Sequence, residues 1–165
     1  MRTAKGEISM TVSLRPATAA DAPALAALQR RAFQRLYERY HDEGSPYLRG
    51  EEEIFNLLER PNWQVYQVLA GGVLCGGVYF CEREAGEYYL ARIYIDPAFQ
   101  GRGIAPEALR LCEATVSGAR RWYLDYPVTE ERNRRCYEKA GYHDTGERRE
   151  QSGGAITLGY MEKYV

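Results

Sequence analysis

The sequence contains no apolar run long enough to cross a bilayer, so no membrane-spanning helix is expected. Residues 1–10 mix Arg2, Lys5 and Glu7 with polar side chains and lack the apolar centre of an export signal. Cysteine is sparse: Cys75, Cys81, Cys112 and Cys136 stand 6, 31 and 24 residues apart, a spacing that matches no zinc motif and no disulfide framework. Reduced thiols in a cytoplasm are the expectation. Histidine is scarcer still, with His41 and His143 alone and no His-Glu-x-x-His run, so no metal site is expected. Positive charge is not in excess either. Lys and Arg number 22 against 23 Asp and Glu, a net charge of −1, which leaves no reservoir for holding a nucleic-acid backbone. Glycine (16) and proline (7) are too few for a collagen-like or disordered polymer.

What is there is a globular composition, 45% hydrophobic and 27% charged, over 165 residues. That length suits one domain spanning residues 1–165, with a folded core from about residue 10. Asp21 before Ala22-Pro23 reads as a helix cap, and Leu25, Leu28, Ala32 and Leu36 recur at helical spacing to about Tyr40. After a break at residues 41–46, Glu51-Glu52-Glu53 opens a short helix with Ile54, Leu57 and Leu58 on its inner side. The texture then turns to β-branched and aromatic residues. Segments 63–69 and 73–81 predict a hairpin about Gly71-Gly72, and 88–95 a third antiparallel strand. On that strand strict alternation puts Ala91, Ile93 and Ile95 on one face and Arg92 and Tyr94 on the other. Asp96-Pro97 ends it. Ala105, Ala108, Leu109, Cys112 and Val116 trace a helix, followed by a strand at 122–126 and a helix at 129–140. Such a crossover makes the strands on either side of the first of these helices parallel. Segments 142–149 and 156–164 close the chain as a hairpin about Gly153-Gly154.

Between strand and helix lies Gln100-Gly101-Arg102-Gly103-Ile104-Ala105. Free N–H groups and the helix dipole make such a turn a seat for phosphate or pyrophosphate; the glycines allow close approach and Arg102 adds charge at the rim. A tight turn that holds nothing has the same glycines. A dinucleotide fingerprint also begins Gly-x-Gly, with Asp125 near the position of its ribose-binding acid. Its third glycine, however, is here Pro106, and three antiparallel strands precede the turn. No Gly-Lys-Ser/Thr follows, which excludes a phosphate-loop nucleoside triphosphatase.

The run Ile93-Tyr94-Ile95-Asp96-Pro97-Ala98-Phe99-Gln100-Gly101-Arg102-Gly103-Ile104-Ala105 resembles the acetyl-CoA-binding signature of the GCN5-related N-acetyltransferases, whose core is Gln/Arg-x-x-Gly-x-Gly/Ala. Arg135-Cys136-Tyr137-Glu138-Lys139-Ala140-Gly141-Tyr142 is similar to the family's Tyr-Glu-Lys-x-Gly-Phe element, and the order of elements matches along nearly the whole chain. The resemblance implies a single α/β (α+β) domain: a mixed sheet of about seven strands, mostly antiparallel with a central splayed parallel pair, flanked by about four helices. It implies acetyl-CoA as cosubstrate. Ile93, Tyr94 and Ile95 would pair through their backbone with the pantetheine arm, and Gln100, Gly101, Arg102, Gly103, Ile104, Ala105 and Pro106 would cradle the pyrophosphate. The family's asparagine seven residues before the tyrosine is here Glu130; Asn133, on the same helical stripe, is the substitute contact.

The chemistry implied is direct attack of a primary amine on the thioester. An alkyl ammonium with a pKa of about 10.4 is almost wholly protonated at neutral pH, a handicap of roughly 4–5 kcal/mol, so a proton acceptor is needed. Tyr137 matches the family tyrosine that gives a proton to the departing thiolate. Asp125 resembles the base of some aminoglycoside acetyltransferases, whose Arg-Cys-Tyr-Glu-Lys-Ala-Gly run this chain shares. Glu82 and Arg92 are further candidates for substrate contact. Asp42, Glu43, Glu51, Glu52 and Glu53 lie where the opening helices shape the acceptor side in this fold, and their charge would draw in a cationic amine. The acceptor is expected to be a small molecule or peptide, and the last hairpin is a plausible dimer surface. Two rival readings stay open: a non-catalytic acyl-CoA-binding module, and an interaction domain using the 12% aromatic content as its surface.

Overall fold

Seven strands form one sheet in the order β1-β2-β3-β4-β5-β7-β6. They are β1 (Val12–Pro16), β2 (Trp63–Ala70), β3 (Val73–Glu84), β4 (Glu87–Ile95), β5 (Arg121–Pro127), β6 (His143–Gln151) and β7 (Ile156–Tyr164). The helices are α1 (Ala22–Tyr40), α2 (Glu51–Leu58), α3 (Ile104–Ala114) and α4 (Glu131–Lys139). The computed structural model describes residues 10–165, so the reading of residues 1–9 as free of an export signal lies outside the described residues. Among the described residues no helix is long and apolar enough to cross a membrane.

Every pairing is antiparallel except β4 with β5. Leu25, Leu28, Ile54 and Leu57 bring α1 and α2 onto one face, against Val65, Tyr79 and Tyr94. Ile104, Ala108, Leu109 and Cys112 bring α3 onto the other, against Val68, Phe80, Leu90 and Trp122, with Cys136 and Tyr137 of α4 packed beside them. Burial of these two apolar layers is what fixes the helices to the sheet.

Three features depart from the sequence reading. β1 is an additional strand: its five residues end in Pro16, too short a pattern to stand out, and an edge position tolerates the proline. Asp21 does not cap α1 through its side chain. Its carboxylate turns back to accept from the Thr18 N–H at 2.8 Å and hydroxyl at 3.1 Å. On β4, Tyr79 stands opposite Arg92 but Phe80 opposite Leu90, so Ala91 is an extra residue in a bulge. Leu90 therefore shares a face with Ile93 and Ile95, where strict alternation would have put it with Arg92 and Tyr94. β6, the strand proposed as part of a dimer surface, is the outer edge of the sheet and carries Arg148, Arg149 and Glu150 there.

Tyr94 is anchored on the α1 side. Its hydroxyl lies 2.6 Å from that of Tyr79 and donates to the Leu25 carbonyl at 3.2 Å. Gly77 makes room for this ring: a Cβ there would stand 2.6 Å from the Tyr94 oxygen. Gly77→Ala is therefore expected to displace Tyr94 and cost about 1–3 kcal/mol, as overpacking does, read as a melting temperature lowered by roughly 2–12 °C in calorimetry.

Candidate active site

β4 and β5 pair only at Glu87–Arg121, Tyr88–Trp122 and Tyr89–Tyr123. Beyond that point each keeps its other neighbour, β4 with β3 as far as Ile95 and β5 with β7 as far as Pro127. The strands thus part with their facing edges unpaired. The carbonyl of Ile95 accepts from the Gln100 side-chain amide at 2.9 Å, so the lost strand partner is replaced by a carboxamide. An extended guest with amide groups suits the same edge.

The split opens into a cavity of about 730 Å³. Of the residues expected from sequence, Ile93, Tyr94, Ile95, Gln100, Gly101, Gly103, Ile104, Ala105, Pro106, Asn133 and Tyr137 all line it. Gly101 and Gly103 hold φ of 78° and 76°, the left-handed region that glycine enters without strain, and this delivers the chain to the N-terminus of α3. Arg102 is not part of the wall; its guanidinium lies 5.5 Å over the ring of Phe99. The positive charge comes instead from residues the sequence reading passed over. Arg132, Arg135 and Lys139 of α4 and Arg31 and Arg35 of α1 line the cavity. Arg31 is paired with Asp96 at 3.0 Å and Arg35 with Glu130 at 2.9 Å. Arg132 and Lys139 have no carboxylate within ion-pair distance among the described residues. Their spacing on one helical stripe with Cys136 was the available signal.

Glu130, standing at the family asparagine position, is 7% exposed and committed to α1 through Arg35 and through Arg39 at 3.2 Å. Asn133, one turn on, lines the cavity.

Burial raises the Tyr137 phenol above its ordinary range, and Cys136, Asp125 and Tyr89 nearby add to the shift. Burial also pushes the Cys136 thiol up to about 11, Lys139 and Arg132 opposing it, so at neutral pH it is a thiol and no nucleophile. Asp125 does not line the cavity. It sits on β5 two residues past the last β4 pair and accepts from the Tyr89 hydroxyl at 2.8 Å. Arg92 is committed to Glu53 at 2.5 Å and Gln29 at 3.1 Å. Glu82 accepts from the Gly86 N–H and lines a separate hollow with Tyr66, Phe80 and Tyr88, on the α3 face. Asp42 is held by Gln151 and the Ser152 hydroxyl, which ties the loop after α1 to the last hairpin.

Residues 23–142 match the acetyltransferase (GNAT) family. The chain belongs to that family. Comparison with curated proteins finds no match. Solved structures share the family's fold. RimL, a ribosomal L7/L12 alpha-N-protein acetyltransferase in complex with coenzyme A, aligns with a TM-score of 0.75 at 18% identity over 94% of each chain. A spermidine N-acetyltransferase from Vibrio cholerae, in complex with CoA and spermine, gives 0.74 at 19% identity over 93% of this chain and 95% of that one. AAC(6')-Ib in complex with ribostamycin and coenzyme A gives 0.74 at 18% identity over 93% of each.

Acetyl-CoA, the acetyl donor of a GNAT enzyme, fits the residues present: an unpaired strand edge for an amide-bearing arm, a glycine turn at a helix N-terminus, and unneutralised cations beside it. A carboxylate placed on the turn opposes the same phosphates. Gly103→Glu is expected to weaken CoA binding more than ~100-fold, since a like-charge contact costs several kcal/mol, with Gly103→Ala as the milder control; calorimetric titration measures both.

Proposed function

We propose that this GNAT enzyme moves an acetyl group from acetyl-CoA to a primary amine, with Tyr137 as proton donor and Asp125 as proton acceptor. The observation that carries the reading is the split between β4 and β5, which joins the glycine turn to the Tyr137 phenol through one cavity. When bound, the donor supplies an acyl carbon activated by its sulfur leaving group. Asp125 takes a proton from the acceptor ammonium and frees its lone pair. The bond from nitrogen to acyl carbon forms, the bond from carbon to sulfur breaks, the Tyr137 hydroxyl gives its proton to the sulfur, and the nitrogen sheds its second proton to solvent as it becomes an amide. Solvent exchange then returns both side chains to their starting states. A neutral phenol suits the donor role because it brings no charge into a half-apolar slot, and burial keeps its proton in place. Arg132 and Lys139 supply the charge expected of a phosphate seat.

Acceptors acted on or bound by the similar structures span spermine, ribostamycin and the N-terminal serine of ribosomal L7/L12. All present an amine, so the acceptor class here is a cationic small molecule or peptide. Four unpaired thiols, three of them buried, suit a reducing cytoplasm. A binding module without turnover has no use for a phenol at the thioester, and retention of Tyr137 favours catalysis.

Release of free thiol from acetyl-CoA against spermine, kanamycin and a peptide beginning with serine tests the reading; release with none of them overturns it. Tyr137→Phe is expected to lower kcat about 100-fold or more while the dissociation constant for acetyl-CoA stays within about twofold. An equal loss in both makes the residue a wall. The raised phenol also sets a pH dependence. Its proton is retained through its ordinary value of about 10, so its loss should add no falling limb to the pH profile of kcat/KM below about pH 10.

A further inference from the structure

Three acidic side chains in the cavity wall or on elements next to it are held by cations. Asp96 is paired with Arg31, Glu130 with Arg35 and Arg39, and Glu53 with Arg92. Asp125 differs. Among the described residues it makes no ion pair, and its hydrogen bond comes from a neutral group, the Tyr89 hydroxyl on Oδ2. A guanidinium in that place would cancel the carboxylate's charge; a phenol orients the group and leaves its charge intact.

Tyr89 is well fixed for this task. It belongs to the last residue pair before the strands part, opposite Tyr123, and reaches diagonally to the carboxylate two residues further along β5. Its ring lies 5.4 Å from that of Tyr123, and the Arg83 guanidinium stands 4.6 Å over it. The other titratable groups around the pair are Cys81 opposite Tyr89 on β3, Tyr160 opposite Asp125 on β7, and Tyr137 from α4.

Resting on the acetyl-transfer reading above, we infer that Tyr89 is a positioning residue: its hydroxyl clamps Asp125 through Oδ2 at the base of the split and leaves Oδ1 to receive the acceptor's ammonium proton. The proton that leaves nitrogen goes to Oδ1, and the phenol keeps its own. Tyr89 therefore acts through Asp125 and not on the donor.

The test is a double-mutant cycle of Tyr89→Phe and Asp125→Asn, assayed with acetyl-CoA and whichever of spermine, kanamycin or the serine peptide is turned over fastest. Tyr89→Phe keeps the ring between Arg83 and Tyr123 and removes the hydroxyl alone. The expected result is a roughly 10- to 100-fold loss in kcat/KM for the amine, with KM for acetyl-CoA within about twofold, and no further loss when the change is added to Asp125→Asn. Equal losses in both backgrounds make Tyr89 structural and overturn the inference while sparing the function. If Asp125→Asn alone keeps wild-type turnover, the role of Asp125 falls and this inference with it. A crystal structure of Tyr89→Phe gives an answer independent of any acceptor: a carboxylate that rotates from its wild-type position supports the clamp, and one that stays overturns it.

Discussion

The parting of β4 from β5 after three residue pairs is the constraint on which the site depends. A buried backbone group without a partner costs about 1–3 kcal/mol, so a gap in the middle of a sheet is sustained only if other bonds hold its two walls. Both walls are held. β4 stays laddered to β3 up to Ile95, and β5 to β7 up to Pro127. Tyr94 adds a side-chain anchor into α1, and the Gln100 carboxamide covers the Ile95 carbonyl. The rest of the sheet thus keeps open a slot whose edges favour a guest that brings amide groups of its own.

Charge is distributed along this slot with a polarity. At the α3 and α4 end stand the glycine turn, a helix N-terminus, and Arg132 and Lys139, which have no carboxylate partner among the described residues. At the other end the strands close on Tyr89 and Asp125, a carboxylate held by a neutral donor. Of the five acidic residues that sequence alone marked as the attractor, two are committed elsewhere: Asp42 fastens the last hairpin to the loop after α1, and Glu53 neutralises Arg92.

How much of this was readable from sequence follows the range of the interactions involved. Local signals carried the helices, the hairpins and the crossover, because hydrophobic period and glycine turns act over a few residues. The glycine turn and Tyr137 were readable through their motifs, and both line one cavity. What escaped was set by contacts between distant segments. The bulge at Ala91 is a property of β3 and β4 together, and it inverts the face that Leu90 takes from alternation alone. Arg102 stands within the motif yet turns onto Phe99, whereas the cations that line the cavity come from α1 and α4. Glu82, whose sequence position suggested the acceptor side, stands on the α3 face. Tyr89 is one tyrosine among 14, and nothing nearby in sequence distinguishes it; its partner is 36 residues away.

Tyr137 and Asp125 approach the split from opposite faces of the sheet. On β5, Trp122, Leu124 and Tyr126 enter the core under α3, so Tyr123 and Asp125 must face the α1 side. Tyr137 comes from α4, packed on the α3 side. In a continuous sheet the backbone would stand between such a phenol and such a carboxylate, yet the Tyr137 phenol feels both Asp125 and Tyr89. The arrangement then depends on β5 register. A slip by one residue would send Asp125 into the apolar layer and Trp122 out of it. Seven residue pairs with β7 and complete burial of the Trp122 indole hold that register, so a packing interaction remote from the chemistry decides which side of the split the carboxylate faces.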